Sequence, residues 1–561
     1  MILDASRPHA LDPGLAAERR LGLTVFVLAT LPSLAAIWLV PWFVTQDGPA
    51  HVYNAHIILE SLRPSSPFRD VYEVRWEPLP NWAGHLLTMA LMEVLPARAA
   101  DRAVISITLV GFAMAIAWLR WRVAGWRGMP LTAALSVLLA LNMAWLFGFT
   151  SFLLGACLFA LTLGLWWAGR ERAGPLRAMG IAGLLVVGYF CHLVSLGLTA
   201  VGLVVLAATT PGPGRGRRWG LTLVSLAPLV GLAFLYRGIM KAGGPMSPEW
   251  GMLKDARSWL SWKAQLGWVD PLSLASKVIL PFSDMRASWC GLLAPIVWFS
   301  LALLAFVAAT VLGPSGREDP RRIAHDRRGW ALLAALLLVG GVIGPDTIGP
   351  GHGNYLPQRV FLLGLVAAVP YLNLDARRGL VKLGGLALAF ALLMQSAFVW
   401  GYALYSDRVA GAFMEAKPFV GRGQRVGTLL VDIGAGYRSN PLLHIDSMLG
   451  VGTGNLIWSN YETTHYYFPV QLRDATRTPP AAEFEAVAIL AGPENRDERN
   501  ERWRRLLEEN HDQIDALVVW GSDPDLDALN ARWFETRVQL NNVRVLRHIG
   551  LEPLAAKPAP P

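Results

Sequence analysis

Thr45–Asn54 reads TQDGPAHVYN, and it follows the apolar run Leu21–Val44. An acid and a histidine therefore stand where the chain leaves a hydrophobic stretch long enough to cross a hydrocarbon core. Asp47 immediately precedes Gly48-Pro49, which is the place of a helix N-cap. It is equally a place where a carboxylate would serve a reaction at the membrane surface, and the two readings are compatible. Asp47 and His51 are spaced i, i+4, so a helix beginning at Gly48 turns both toward one face.

Composition extends this reading to the whole chain. Of 561 residues, 53% are hydrophobic and only 16% are charged, where soluble domains are nearer a quarter charged. Apolar runs of membrane-spanning length recur, so a polytopic α-helical membrane protein is expected. Leu21–Val44 lacks a small-residue cleavage site and reads as a retained first span. The formal net charge of +9 does not point to nucleic acid, because Lys and Arg cluster in the short loops between spans. Glu18-Arg19-Arg20 before the first span places the N-terminus in the cytoplasm. Cys157, Cys191 and Cys290 show no CxxC spacing and no disulfide framework.

The expected organisation has three parts. Residues 1–20 form a cytoplasmic segment, 21–405 a transmembrane domain of about eleven helices, and 406–561 an α/β domain on the far side. Two long external loops, 45–101 and 239–290, interrupt the spans. Trp82–Leu95 is apolar but short, and reads as a helix lying at the membrane surface. Ile181–Ala208 is flanked by basic runs on both sides, which demands an even number of crossings and hence two short spans turning near Cys191-His192. Beyond Ser406 apolar runs shrink to strand length at Arg425–Asp432, Ala486–Leu490, Ala516–Gly521 and Val543–Ile549. Charged helical pieces, Glu494–Asn510 and Asp525–Arg532, lie between them.

No soluble-enzyme signature stands out. Gly450-Val-Gly452-Thr-Gly454 lacks the strand and helix that a dinucleotide site needs and reads as a loop. His444 and Asp446, or His465 with Tyr466-Tyr467, could line a site in the outer domain, but ordinary surface or core roles are the stronger reading for each. The remaining polar candidates gather at one side. These are Asp47 and His51, His192 at the tip of the two short spans, Lys254 in the second loop, and the late-loop set His352, Asn354, Tyr355, Gln358 and Arg359. An ionisable group at membrane depth is a functional candidate by default, although Arg359 also has the position of an interfacial anchor.

Taken together, these features resemble the GT-C fold of membrane glycosyltransferases. The resemblance covers residues 21–403: a first span followed at once by an acid, a long first loop with surface helices, short middle spans, and a late loop bearing polar residues. It implies that Asp47 is the catalytic-site acid; His51 has no fixed counterpart in the family and joins it as a catalytic candidate through its i, i+4 spacing. Arg359, His352, Tyr355, His192 and Lys254, singled out by their place at the outer face, are the expected substrate-binding residues. The Asn354–Arg359 segment is similar to late-loop sequences near the donor phosphate. The implied reaction is inverting transfer of a sugar from a polyprenyl-phosphate donor to a glycan or lipid acceptor at the periplasmic face of a bacterial inner membrane. The pattern departs from the family at Phe147–Ser151, where no second acid stands, so a two-carboxylate metal site is not implied and a divalent metal stays open. Two other classes fit the same composition: a transporter or flippase of lipid-linked saccharides, and a non-catalytic polysaccharide-assembly protein.

Overall fold

The computed structural model describes residues 13–171, 174–212, 214–242, 269–279, 300–308, 320–344, 355–374, 379–433, 437–475 and 478–550. Among the described residues, most of the chain up to Met414 is helical. Among the described residues, five helices are long and apolar enough to cross a membrane: Gly14–Leu39, Ala97–Ala124, Thr150–Gly169, Arg215–Ile239 and Leu380–Val420. Their outward faces carry exposed leucines and phenylalanines, such as Leu23, Phe234 and Leu393. An apolar surface of that extent is stable only against lipid.

The first helix ends at Leu39, before Pro41 rather than at Val44. Proline disfavours helical geometry in the residue before it, so Trp42–Asp47 leaves the helix as a non-helical strap. The apolar stretch Leu131–Phe147, long enough on sequence for one span, is likewise divided. Met129–Ala140 is followed by a separate turn at Met143–Leu146, capped by the Asn142 side chain. The pair expected over 181–208 is present as Pro175–Cys191 and Leu193–Thr209, with only His192 between them in extended geometry. The segment expected at the membrane surface forms Trp82–Met92, an 11-residue helix. At 1.5 Å per residue it reaches about 17 Å, too short to cross. The last span, Gly379–Met414, continues past residue 405 without a break.

Beyond it lies a five-stranded sheet in the order β3-β2-β5-β7-β6. β2 (Arg425–Leu430) runs parallel to β3 (Leu456–Ile457) and β5 (Ala516–Trp520). β7 (Val543–His548) is antiparallel to β5 and to the edge strand β6 (Phe534–Leu540). Two details correct the sequence reading. Ala486–Leu490 is no strand but the end of the helix Ala481–Ile489, whose buried Phe484, Val487 and Ala488 follow helical spacing after Pro480. β6 escaped because it is a polar edge strand, with Glu535, Thr536 and Arg537 all exposed.

The first loop is built into this outer layer. β1 (Tyr72–Val74) pairs antiparallel with β4 (Val470–Leu472). Val52, Tyr53, Ile57 and Ile58 of the helix Gly48–Ser61 share one apolar core with Val426, Leu429 and Ile457 of the sheet. Asn54 and Asn460 exchange reciprocal amide hydrogen bonds of 2.9 Å. The strap after the first span is therefore clamped between the helical bundle and the outer sheet.

Candidate active site

The strap is fixed atom by atom. The Gln46 and Asp47 backbone N–H groups donate to the carbonyls of Leu146 and Phe147, at 3.2 and 3.0 Å. Val44 donates to Ser406 Oγ at 3.1 Å, and Tyr402 donates its hydroxyl to the Val44 carbonyl at 2.6 Å. Gly148 makes this approach feasible. Its φ is +81°, and a Cβ there would lie 2.8 Å from Thr45 Oγ1 and 3.0 Å from the Gly48 nitrogen.

Asp47 occupies the N-cap position of the helix Gly48–Ser61, yet its side chain makes no capping hydrogen bond. The carboxylate lines a cavity instead. His444 Nε2 stands 3.8 Å from Asp47 Oδ1. Burial raises the Asp47 carboxyl to about 6, partly offset by His51 and by a hydrogen bond from Gln46. His444 is held down to about 3 by burial and by His51, so it faces Asp47 as a neutral ring. It stacks on Tyr461, with centroids 4.5 Å apart.

Next to this pair, Glu462 bridges two histidines. His51 Nδ1 lies 2.6 Å from Oε1, and His85 Nε2 lies 2.8 Å from Oε2. Burial alone would raise Glu462, but His85 and His51 outweigh it and hold the carboxyl at about 2. Among the described residues, His51, His85 and Glu462 are the group whose ligand atoms come close enough to share a metal ion.

Arg359 enters the same cavity from the helix Leu356–Ala368. Its Nη1 is 3.0 Å from His192 Nε2, and its guanidinium lies over Phe149 and Phe152, at 4.6 and 5.4 Å from the ring centroids. Nε has no hydrogen-bond partner, and among the described residues no carboxylate lies within salt-bridge distance. A half-buried cation so placed has capacity left for an anion. Tyr355 borders it in left-handed geometry, φ +62°, and packs against Phe147 and Phe149. Asn81, which also lines the cavity, is left-handed too, φ +67°. Two of the three non-glycine residues with positive φ among the described residues therefore border one cavity, where strain commonly accompanies function.

The cavity has a volume of about 580 Å³. Asp47, His51, His192, Tyr355 and Arg359 all line it. His352 and Lys254 lie outside the described residues. The outer domain supplies a wall of His444, His465, Tyr466 and Tyr467, for which the sequence favours ordinary roles, together with Tyr461 and Phe468, which it does not single out. Asp446, in contrast, is buried away from it and bonded to Ser459. Glu485 also reaches the cavity, its carboxyl raised to about 7 by burial and then by Asp47. Glu462, His85 and Glu485 were not singled out from sequence. The one local signal was the aromatic density of Tyr461–Phe468 around Glu462.

No protein-family model matches the chain, and no curated protein matches it in sequence. Several solved structures are similar to it. ArnT from Cupriavidus metallidurans in the apo state aligns over 95% of this chain and 98% of its own, at 13% identity and a TM-score of 0.47. The Archaeoglobus fulgidus oligosaccharyltransferase in the apo form aligns over 89% and 69%, at 11% identity and a TM-score of 0.45. The arabinofuranosyltransferase AftD from Mycobacteria aligns over 94% and 40%, at 13% identity and a TM-score of 0.46. The three are GT-C fold membrane glycosyltransferases.

Proposed function

We propose that the chain is a membrane glycosyltransferase that moves a sugar from a polyprenyl-phosphate donor to a hydroxyl of a glycan or lipid acceptor, with inversion. The observation that carries this is the pairing of a carboxylate with raised proton affinity, Asp47, and a carboxylate-free guanidinium, Arg359, on the wall of one cavity. A base and an anion binder are the two groups that sugar transfer from a phosphate requires.

In this reading the polyprenyl chain stays in lipid and the head group occupies the cavity. The acceptor oxygen attacks the anomeric carbon from the face opposite the phosphate. Its proton passes to an Asp47 carboxylate oxygen as the new C–O bond forms. The old C–O bond breaks with its electron pair going to the phosphate, whose charge is stabilised by Arg359. His444, held neutral, adds no competing positive charge beside the base. The aromatic wall Tyr461, Tyr466 and Tyr467 gives the sugar rings faces to pack on. Three ligand atoms on His51, His85 and Glu462 fit a divalent ion, and no step above runs through it.

The reading places the cavity on the periplasmic side of a bacterial inner membrane, with the N-terminus in the cytoplasm. Transport fits less well. The described candidate charges border one cavity beside the outer sheet rather than a path along the bundle. The test is mass spectrometry of lipid extracts from a deletion strain and its complemented parent. A polyprenyl-phosphate sugar should accumulate and one modified lipid or glycan should disappear. Identical profiles in both strains would overturn the assignment.

A further inference from the structure

His51, His85 and Glu462 come from three separate elements: the helix Gly48–Ser61, the helix Trp82–Met92 and the single turn Tyr461–Thr464. Their ligand atoms all lie within 4.8 Å of one another. Glu462 is fully buried and His85 is 2% exposed. No Lys or Arg pairs with Glu462 among the described residues. A buried carboxylate needs a compensating cation, and here only two imidazoles are offered.

The outer nitrogens of those rings narrow the choice. His85 Nδ1 lies 3.3 Å from the Asn81 carbonyl, and His51 also bonds the Gly148 backbone. A carbonyl and a carboxylate both only accept, so each ring faces an acceptor at either nitrogen; a neutral His85 that keeps its proton on Nδ1 leaves a lone pair on Nε2. That lone pair, and the matching one on His51 Nδ1, would point at carboxylate oxygens 2.8 and 2.6 Å away. Either a ring proton or a metal ion must fill each contact. Two extra protons would make two imidazolium rings with centroids 5.6 Å apart, beside the apolar ring of Phe468. One divalent ion would satisfy all three ligands with both rings neutral. An imidazole whose remote N–H is held by a carbonyl is the usual arrangement of a metal-bound histidine.

We propose that His51, His85 and Glu462 form a binding site for a single borderline divalent transition ion of the zinc class. Imidazole nitrogen and carboxylate oxygen are the donor set such an ion takes. The site ties both first-loop helices to the outer domain. Its role is to hold the strap and the cavity wall in place, so the proposal stands apart from the transfer reaction and does not depend on it.

The test uses the full chain purified in detergent without chelator. Metal analysis should find about one equivalent of zinc-class ion. A strong chelator should lower the thermal midpoint, and added Zn²⁺ should restore it. Co²⁺ loaded into the stripped wild type should give visible ligand-field absorption. Glu462→Gln and His85→Gln should each weaken metal affinity at least about tenfold, while Lys277→Ala, remote from the site, should leave it unchanged. If a variant does not fold, the wild-type cobalt spectrum and chelator response still decide. Background metal in the wild type with no thermal response to Zn²⁺ would overturn the site, in favour of protonated histidines. Wild-type metal content in folded Glu462→Gln and His85→Gln would also overturn it, by placing the ion elsewhere.

Discussion

His51 Nδ1 lies 2.6 Å from Glu462 Oε1, although 411 positions separate the two in sequence. The contact makes the first loop and the outer domain one structural unit. Tyr53, two residues further along the same helix, repeats the connection. Its buried hydroxyl donates to the Asn455 carbonyl at 2.9 Å and accepts from the Ile457 N–H at 3.1 Å. The outer sheet is thus a wall of the cavity rather than an appendage, and changes in it should be felt at Asp47.

Tyr53→Phe tests that coupling. The ring still fills its place, but a carbonyl and an N–H are left buried without a partner, at a cost of about 1–3 kcal/mol each. The thermal midpoint in detergent should fall by several degrees and transfer should weaken with it. An unchanged midpoint would mean that the two layers are held together without this hydroxyl.

Asp47→Asn should separate chemistry from stability. Loss of the base should lower transfer by about 10²–10⁴-fold. The fold should not suffer. A carboxyl raised from 3.8 to about 6 is ionised at a cost on the order of 3 kcal/mol at neutral pH, and the amide relieves that cost. Turnover near wild type would remove Asp47 from the reaction. A midpoint well below wild type would instead make it a structural residue.

The same shift sets a pH limb. The base works as the carboxylate, so transfer should rise with pH through about 6 and level off above it. An ordinary aspartate would already be ionised by pH 5. Initial rates between pH 4.5 and 8, at saturating donor, give the midpoint. A profile flat down to pH 4.5 would contradict the buried setting of this group.

How much of this was legible beforehand follows from where each residue sits. Asp47, His192 and Arg359 border apolar runs, so a charge or imidazole there is conspicuous, and all three line the cavity. Glu462, His85 and Glu485 were hidden for the opposite reason. Glu462 sits among the polar and aromatic residues of 461–468, His85 and Glu485 sit on short helices away from any span end, and only tertiary packing turns them inward. Secondary structure failed in the same way. Four or five apolar residues around Ala486–Leu490 read equally as strand or helix end, and Pro480 with Phe484 decides for helix. The break after Leu39 was written in Pro41, but hydropathy alone carried the span to Val44.

Gly148→Ala probes the approach that positions the strap. At φ +81° a Cβ is strained by about 1 kcal/mol or more. It would also sit 2.8 Å from Thr45 Oγ1 and 3.0 Å from the Gly48 nitrogen. The backbone on either side of Asp47 must then shift. Transfer should drop at least about tenfold, because a displacement near 1 Å costs up to about 100-fold. The outer sheet should remain folded, as judged by protection of its amides from exchange. Full activity would show that the strap tolerates displacement and that Asp47 is not held to a fixed position.

Arg359 distinguishes an anion binder from a membrane anchor. Its guanidinium packs over two phenylalanine rings and reaches His192, an arrangement that orients the charge toward the cavity rather than toward a lipid surface. Arg359→Ala should raise the donor KM and lower kcat together, by about 10²–10³ in kcat/KM, the usual loss for one group that stabilises developing charge. Arg359→Lys keeps the charge but loses the planar stacking on Phe149 and Phe152, so it should recover only part of that loss. An interfacial anchor predicts the reverse order: either substitution would reduce insertion or stability, lysine would restore it, and the donor dependence of the remaining activity would match wild type. Steady-state kinetics over a range of donor concentrations in nanodiscs, run beside thermal unfolding of the same samples, separates the two outcomes.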